Sequence, residues 1–151
     1  MRDSRVGTYG ALALILLVLI KFVSLESLAS ADSRALLAAI LSAYVLSRWS
    51  SVYLMARVPY ARAEANNKVV TEGVNSRRLY EATLIAALCL IFPSLFVGAG
   101  IFITLPLAWL LSLLAGNYFM SSFGGITGDC LGAFNQVVEV SVVLALVVWF
   151  A

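Results

Sequence analysis

Two carboxylates and two amides interrupt the last apolar stretch of this chain. In Gly124-Gly125-Ile126-Thr127-Gly128-Asp129-Cys130-Leu131-Gly132-Ala133-Phe134-Asn135-Gln136-Val137-Val138-Glu139, a glycine-rich turn bearing Asp129 runs into a hydrophobic helix that carries Asn135, Gln136 and Glu139. Acids at membrane depth are costly and mark function, so these positions are candidates to hold a metal ion, a phosphate-bearing substrate or both. Asp129 supports two readings at once. An Asp between a glycine and an apolar helix caps orphan backbone N–H groups, and a carboxylate is also what Mg²⁺ takes when it is shared with substrate phosphates. From a helix start near Asp129, the residues Gly132, Gln136 and Glu139 follow at offsets of three, seven and ten, which keeps them on one broad face. Glu139 stands eight residues past Leu131, too deep for a cap.

Arg48 is the second anomaly. It lies ten residues before Val58, inside an apolar run, with Tyr44 and Ser51 on its helical face. Ten residues are about 15 Å of helix, a long way for one side chain to snorkel. A buried partner is therefore expected, either Glu139 or a phosphate. At the N-terminus, Asp3, Ser4 and Gly7 are packed among Arg2 and Arg5. The arginines serve as a topological anchor, and backbone N–H groups at a glycine-bearing helix start beside them make an anion site. In Pro59-Tyr60-Ala61-Arg62-Ala63-Glu64 the proline ends a helix and a charge pair follows. Arg62 adds a further cation for phosphate.

The elements that must position these residues are membrane helices. Of 151 residues, 62% are hydrophobic and 12% charged, about half the charge of an ordinary soluble domain. Five apolar segments stand out: Val6–Leu25, extendable towards Ala29; Ala35–Val58; the short Ala82–Val97, which contains Pro93; Ile101–Met120; and Leu131–Ala151. Most approach the ~20 residues a spanning helix needs. Helix is the form a backbone takes in lipid, where its polar groups must bond within their own segment. The expectation is a single all-α domain over residues 1–151, a polytopic transmembrane bundle of about five spans. The first run is too long for a signal peptide, and no small-residue cleavage site follows it. The absence of histidine excludes His-ligated zinc and Ser-His-Asp triads, and Cys89 and Cys130 have no metal spacing. A net charge of +2 is too small to indicate nucleic acid. Trp49, Trp109 and Trp149 read as packing or interface residues.

Basic residues set the orientation. If the five spans alternate, Arg2, Arg5, Arg57, Arg62, Lys68, Arg77 and Arg78 fall on one side, and Lys21 and Arg34 on the other. The positive-inside rule then places the N-terminus, the long loop and the Gly124–Ala133 turn at the cytoplasmic face of the cell membrane.

Three stretches in the same order, Arg2-Asp3-Ser4-Arg5-Val6-Gly7-Thr8-Tyr9-Gly10, Pro59-Tyr60-Ala61-Arg62-Ala63-Glu64 and Gly124 through Ala133, resemble the cobalamin synthase family, the adenosylcobinamide-GDP ribazoletransferases. The resemblance covers essentially the whole chain. It implies a multi-pass membrane enzyme that joins adenosylcobinamide-GDP to α-ribazole and releases GMP, with Mg²⁺ as cofactor. Asp129 and Glu139 would then position metal or substrate. Arg5, Arg48 and Arg62 would bind the diphosphate with Asp3 orienting an arginine, and Ser4, Gly7, Tyr60, Asn135 and Gln136 would complete the substrate site. Members of that family also carry an N-terminal part with an Asp- and Gly-rich motif, which nothing here matches. The chain thus resembles the larger, C-terminal part of the enzyme, and the missing acids would supply metal ligands. The expectation is no activity alone, or a role in completing a separately encoded N-terminal part. A transporter with Glu139 and Arg48 as an ion relay is the rival reading. It requires polar residues strung across the bilayer, whereas here they gather towards one face.

Overall fold

The computed structural model describes residues 7–61 and 74–150. They form α1 (Thr8–Ala31), α2 (Ser33–Arg57), α3 (Ser76–Val97), a 3₁₀ segment (Ala99–Ile103) leading into α4 (Thr104–Phe123), and α5 (Gly128–Phe150). Five helices are long and apolar enough to cross a membrane. The all-helical expectation holds, and the differences lie at the boundaries. Helix α1 continues to Ala31, beyond the Leu25 bound, so Lys21, expected near the far side, lies mid-helix. Among the described residues, Arg34 is then the basic residue left at that end, with Arg57, Arg77 and Arg78 at the other. Helix α3 starts at Ser76, six residues before the apolar run, because an Arg77–Glu81 pair one turn apart supports a polar first turn. Pro93 does not end α3. It is buried within the helix, which runs on to Val97.

Helix α2 is the centre of the bundle and touches all four other helices. Helix α1 packs on α2 and α5, and α4 packs on the same two. Its composition explains this place. In lipid no hydrophobic force draws helices together, so small residues that let backbones approach decide which faces meet. Ala35, Ala38, Ala39, Ser42, Ala43, Ser47 and Ser50 are all buried on α2. Helix α4 offers a matching row at every fourth residue, Thr104, Ala108, Ser112 and Gly116. A Cβ at Gly116 would lie 3.3 Å from the Val58 side chain. Ser42 and Ser112 donate to the carbonyls of Ala38 and Ala108 at 2.6 and 2.7 Å, whereas the buried Ser50 hydroxyl has no partner among the described residues.

Two connections fix directions. Asp32 alone separates α1 from α2. Its N–H donates to Leu28 O, and its side chain accepts from the Arg34 N–H at 2.9 Å, so one residue ends one helix and caps the next. At the other end of α2, Tyr60 pairs with Ile126 in a parallel bridge. The C-terminal end of α2 therefore sits on the same face as the α4–α5 turn. Helix α1 engages the bundle unevenly. Ser24 and Leu28 are buried and Leu17, Lys21 and Leu25 half-buried, while residues 8–16 are all exposed. Its C-terminal half does the packing.

Candidate active site

The first part of the site is main chain. Ile126 N–H donates to Pro59 O and Ala61 N–H donates to Ile126 O, both at 2.9 Å. The Pro59-Tyr60-Ala61 stretch and the glycine-rich turn, far apart in sequence, thus become one small platform. Glycine is required for this approach: a Cβ at Gly125 would overlap Pro59 O and lie 2.8 Å from Ala61 N. Gly124, at φ 68, supplies the left-handed residue that ends α4, with its N–H donating to Met120 O. Helix α5 starts directly below. Thr127 is the residue that caps it, its hydroxyl accepting from the Cys130 N–H at 3.3 Å. Asp129, expected as the cap, instead stands exposed in the first turn. The Tyr60 hydroxyl overhangs this helix start, 3.5 Å from where a Cβ on Gly128 would be. One turn on, Gly132 is exposed and faces open space.

The second part is a polar cluster inside the bundle. Glu139 is 3% exposed. One of its carboxylate oxygens forms an ion pair with Lys21 Nζ of α1, and the other accepts from Ser47 Oγ of α2 at 3.3 Å. Lys21 Nζ also donates to Gln136 Oε1 at 3.0 Å. One turn nearer the platform, Ser51 Oγ donates to Asn135 Oδ1 at 2.5 Å. The register is orderly: Ser51 and Ser47 are one turn apart on α2 and meet Asn135 and Glu139, one turn apart on α5, as antiparallel helices must. Three helices are tied by one buried acid and its neighbours. A charge carried to this depth is stable only when paired and hydrogen-bonded, and here both conditions are met.

Several expectations are corrected by this arrangement. Arg48 is not the partner of Glu139. It is exposed, on the side of α2 that faces α3, and Lys21 takes the place proposed for it. Asp129 and Glu139 cannot share one metal ion. They are ten residues apart on one continuous helix, about 15 Å at the standard rise, whereas Mg²⁺ holds its ligands near 2 Å. Glu139 is already engaged by Lys21 and Ser47. Among the described residues there is no group of three His, Cys, Asp or Glu side chains that could hold a metal. Among the described residues, Asp129 is the exposed carboxylate beside the platform. Gly7 starts α1 in an extended, exposed conformation. Asn135 and Gln136 both join the buried cluster. Asp3, Ser4, Arg5 and Arg62 lie outside the described residues.

Comparison with known proteins gives these features a family. Residues 1–147 match the cobalamin-5-phosphate synthase family. The chain belongs to that family. Adenosylcobinamide-GDP ribazoletransferases are similar to it along nearly all its length. That of Ralstonia nicotianae is 35% identical over 150 residues, covering 99% of this chain and 57% of the relative. That of Chlorobium phaeovibrioides is 36% identical over 151 residues, covering 99% and 59%. That of Escherichia coli is 34% identical over 148 residues, covering 97% and 58%. The chain thus spans somewhat more than half the length of the relatives it matches. No solved structure matches it.

Within this member of the cobalamin-5-phosphate synthase family, Lys21, Ser47 and Ser51 are the residues of the buried polar cluster that sequence reasoning missed. Lys21 carried a signal: once the first apolar run is extended past Leu25, a lysine falls mid-helix, where it needs an acid. The two serines carried none, since α2 holds several and only packing distinguishes those that face α5.

Proposed function

We propose that this chain, together with the N-terminal part of its family, carries out the family's transfer chemistry at the platform end of α5: a hydroxyl of α-ribazole attacks the cobinamide-bearing phosphorus of adenosylcobinamide-GDP. The new P–O bond forms as the diphosphate P–O bond breaks. GMP leaves with the electron pair, the hydroxyl proton passes to solvent, and adenosylcobalamin is the product. The observation that carries this reading is the main-chain pairing of Pro59–Ala61 with Ile126. It brings two of the three family-like stretches together over a helix N-terminus that bears an exposed carboxylate.

Phosphoryl transfer asks for positioning and charge neutralisation more than for a nucleophilic side chain. The first turn of α5 points its unbonded N–H groups at the platform, a natural seat for phosphate oxygens, and the Tyr60 hydroxyl is placed to donate to the same group. Gly132 leaves room for the substrate to descend along α5. Arg5 and Arg62 are assigned to the diphosphate on their sequence position. Asp129 would hold Mg²⁺ as its one carboxylate from these residues, together with waters, substrate phosphates and acids of the family's N-terminal part. Bound there, Mg²⁺ would neutralise phosphate charge. Lys21 and Glu139 lie too deep to touch the diphosphate and fix the tilt of α5 beneath the platform. The cytoplasmic orientation rests on seven basic residues against one. The ion-relay alternative is disfavoured because beyond Glu139 the buried positions of α5 are Val142, Val143 and Leu146, with no relay partner.

GMP release from adenosylcobinamide-GDP and α-ribazole tests the reading. The assay uses membranes carrying the chain together with the N-terminal segment of a full-length relative. Asp129→Asn is expected to slow release roughly 100-fold, the scale of losing one group that stabilises transition-state charge, with insertion unchanged. An undiminished rate would sink the assignment.

A further inference from the structure

Helix α1 turns one series of positions towards the bundle: Leu28 and Ser24 are buried, and Lys21 and Leu17 half-buried. Continued by the same steps of three and four, the series reaches Leu14 and Gly10. Yet every residue from Thr8 to Leu16 is exposed, so the inward side of α1 is bare over its first turns. Helix α5 shows the same break. Gly132, Glu139 and Val143 share one face, at spacings of seven and four. Glu139 and Val143 are buried, whereas Gly132 is exposed with open space before it. The two helices meet at Lys21 and are uncovered from there to the platform, with Asp129 exposed at the mouth of the opening.

An apolar side chain that faces lipid needs no partner. Helices α3 and α4 expose such sides, but each keeps its inward series buried: Ala86, Leu90 and Pro93 on one, Thr104, Ala108, Ser112 and Gly116 on the other. On α1 the inward side itself is bare. Lys21, the fourteenth residue of α1 and about 20 Å from its start, also keeps 26% of its side chain exposed, which is costly in hydrocarbon. The ribazoletransferases that match this chain extend beyond the match by more than two-fifths of their own length, enough to supply what lies here.

We propose that a membrane-spanning helix of the family's N-terminal part lies on the bare inward side of α1, at Gly10 and Leu14, and walls the Gly132 side of the site off from lipid. This rests on the reading of the platform as the transfer site. Gly10 brings no side chain to the contact, so the incoming helix can approach α1 closely, and Gly132 keeps a channel for substrate behind it. The platform end of that helix then lies beside Asp129, where further acids are needed.

The test co-expresses the full chain, in a Cys89→Ser, Cys130→Ser background, with the N-terminal segment of the Escherichia coli relative. Leu14→Cys, and as controls the equally exposed Leu88→Cys on α3 and Leu110→Cys on α4, are paired with single cysteines walked along the apolar runs of the segment. Disulfides are expected from position 14, at every third or fourth residue of one segment helix, and none from 88 or 110. Gly10→Trp with Leu14→Trp should lower co-purification of the segment roughly tenfold, and Leu88→Trp should not. Cross-links from 88 or 110 instead of 14, or co-purification unaltered by the tryptophans, would overturn the proposal. So would a Leu14→Cys cross-link between two copies without the segment, which assigns the face to self-association. A cross-link from position 14 to a cysteine at Asp3 or Lys68 of the same copy would overturn it too, by assigning the cover to the chain's own segments. GMP release is scored separately: cross-linking from position 14 without release keeps the docking face and sinks the transfer reading, and release with cross-links elsewhere does the reverse.

Discussion

At the start of α5, Asp129 is exposed and the order around it comes from main chain: a two-bond bridge, a left-handed glycine and a threonine cap. Three turns along the same helix, Glu139 is buried and the order around it comes from side chains of two other helices. Both residues are acids in a chain poor in charge, yet one is left open and the other is fully engaged. An open carboxylate over a helix N-terminus can exchange water for a ligand. A carboxylate holding a lysine and a serine cannot do so without leaving a charge stranded in an apolar bundle. The contrast separates an acid left open to solvent from one engaged in assembly, although the sequence presents them as a pair.

Breaking the buried side of this comparison should have the largest effect. Glu139→Ala leaves Lys21 uncompensated and is expected to destabilise the bundle by about 3–5 kcal/mol. Lys21→Met combined with Glu139→Gln should recover most of that loss. Denaturant unfolding in detergent, followed by circular dichroism as a double-mutant cycle, measures it. Equal losses in the single and double variants would mean that the two charges do not depend on each other.

Next comes the platform. Gly125→Ala forces a Cβ into Pro59 O and should cost about 1–3 kcal/mol of local strain. Its cleaner signature is separation of the two loops. A cysteine pair at Tyr60 and Ile126 should cross-link readily in the parent background and poorly beside Gly125→Ala. Unaltered cross-linking would remove the bridge from the argument.

A smaller effect is expected at the cap. Thr127→Ala removes the hydroxyl that accepts from Cys130 N–H, at about 0.5–2 kcal/mol. Amide exchange at Cys130 and Leu131 should quicken while the centre of α5 stays protected. If exchange is unchanged there, α5 is held by packing alone.

The smallest structural effect belongs to Asp129→Asn. The unfolding midpoint should stay that of the parent while GMP release falls. A midpoint shift as large as that of Glu139→Ala would erase the distinction between the two acids.

Five helical spans could be recognised from composition and length alone, because a backbone in lipid has to bond within its own segment whatever its neighbours are. The glycine-rich turn was legible for a similar reason: Gly124 and Gly125 answer local backbone demands. The rotation of each helix was not legible. Where lipid and core are both apolar, hydrophobic periodicity does not say which face turns inward, and rows of small residues decide it through close packing. That is why the sequence offered Arg48 as a partner for Glu139 and counted Lys21 only as a basic residue near the far side of the membrane. The rotation of α2 turns Ser47 to α5 and Arg48 to the side of α3, and α1 delivers Lys21 to the acid. The sequence determined that an acid would need a partner at that depth; only the packing of three helices decided which residue it would be.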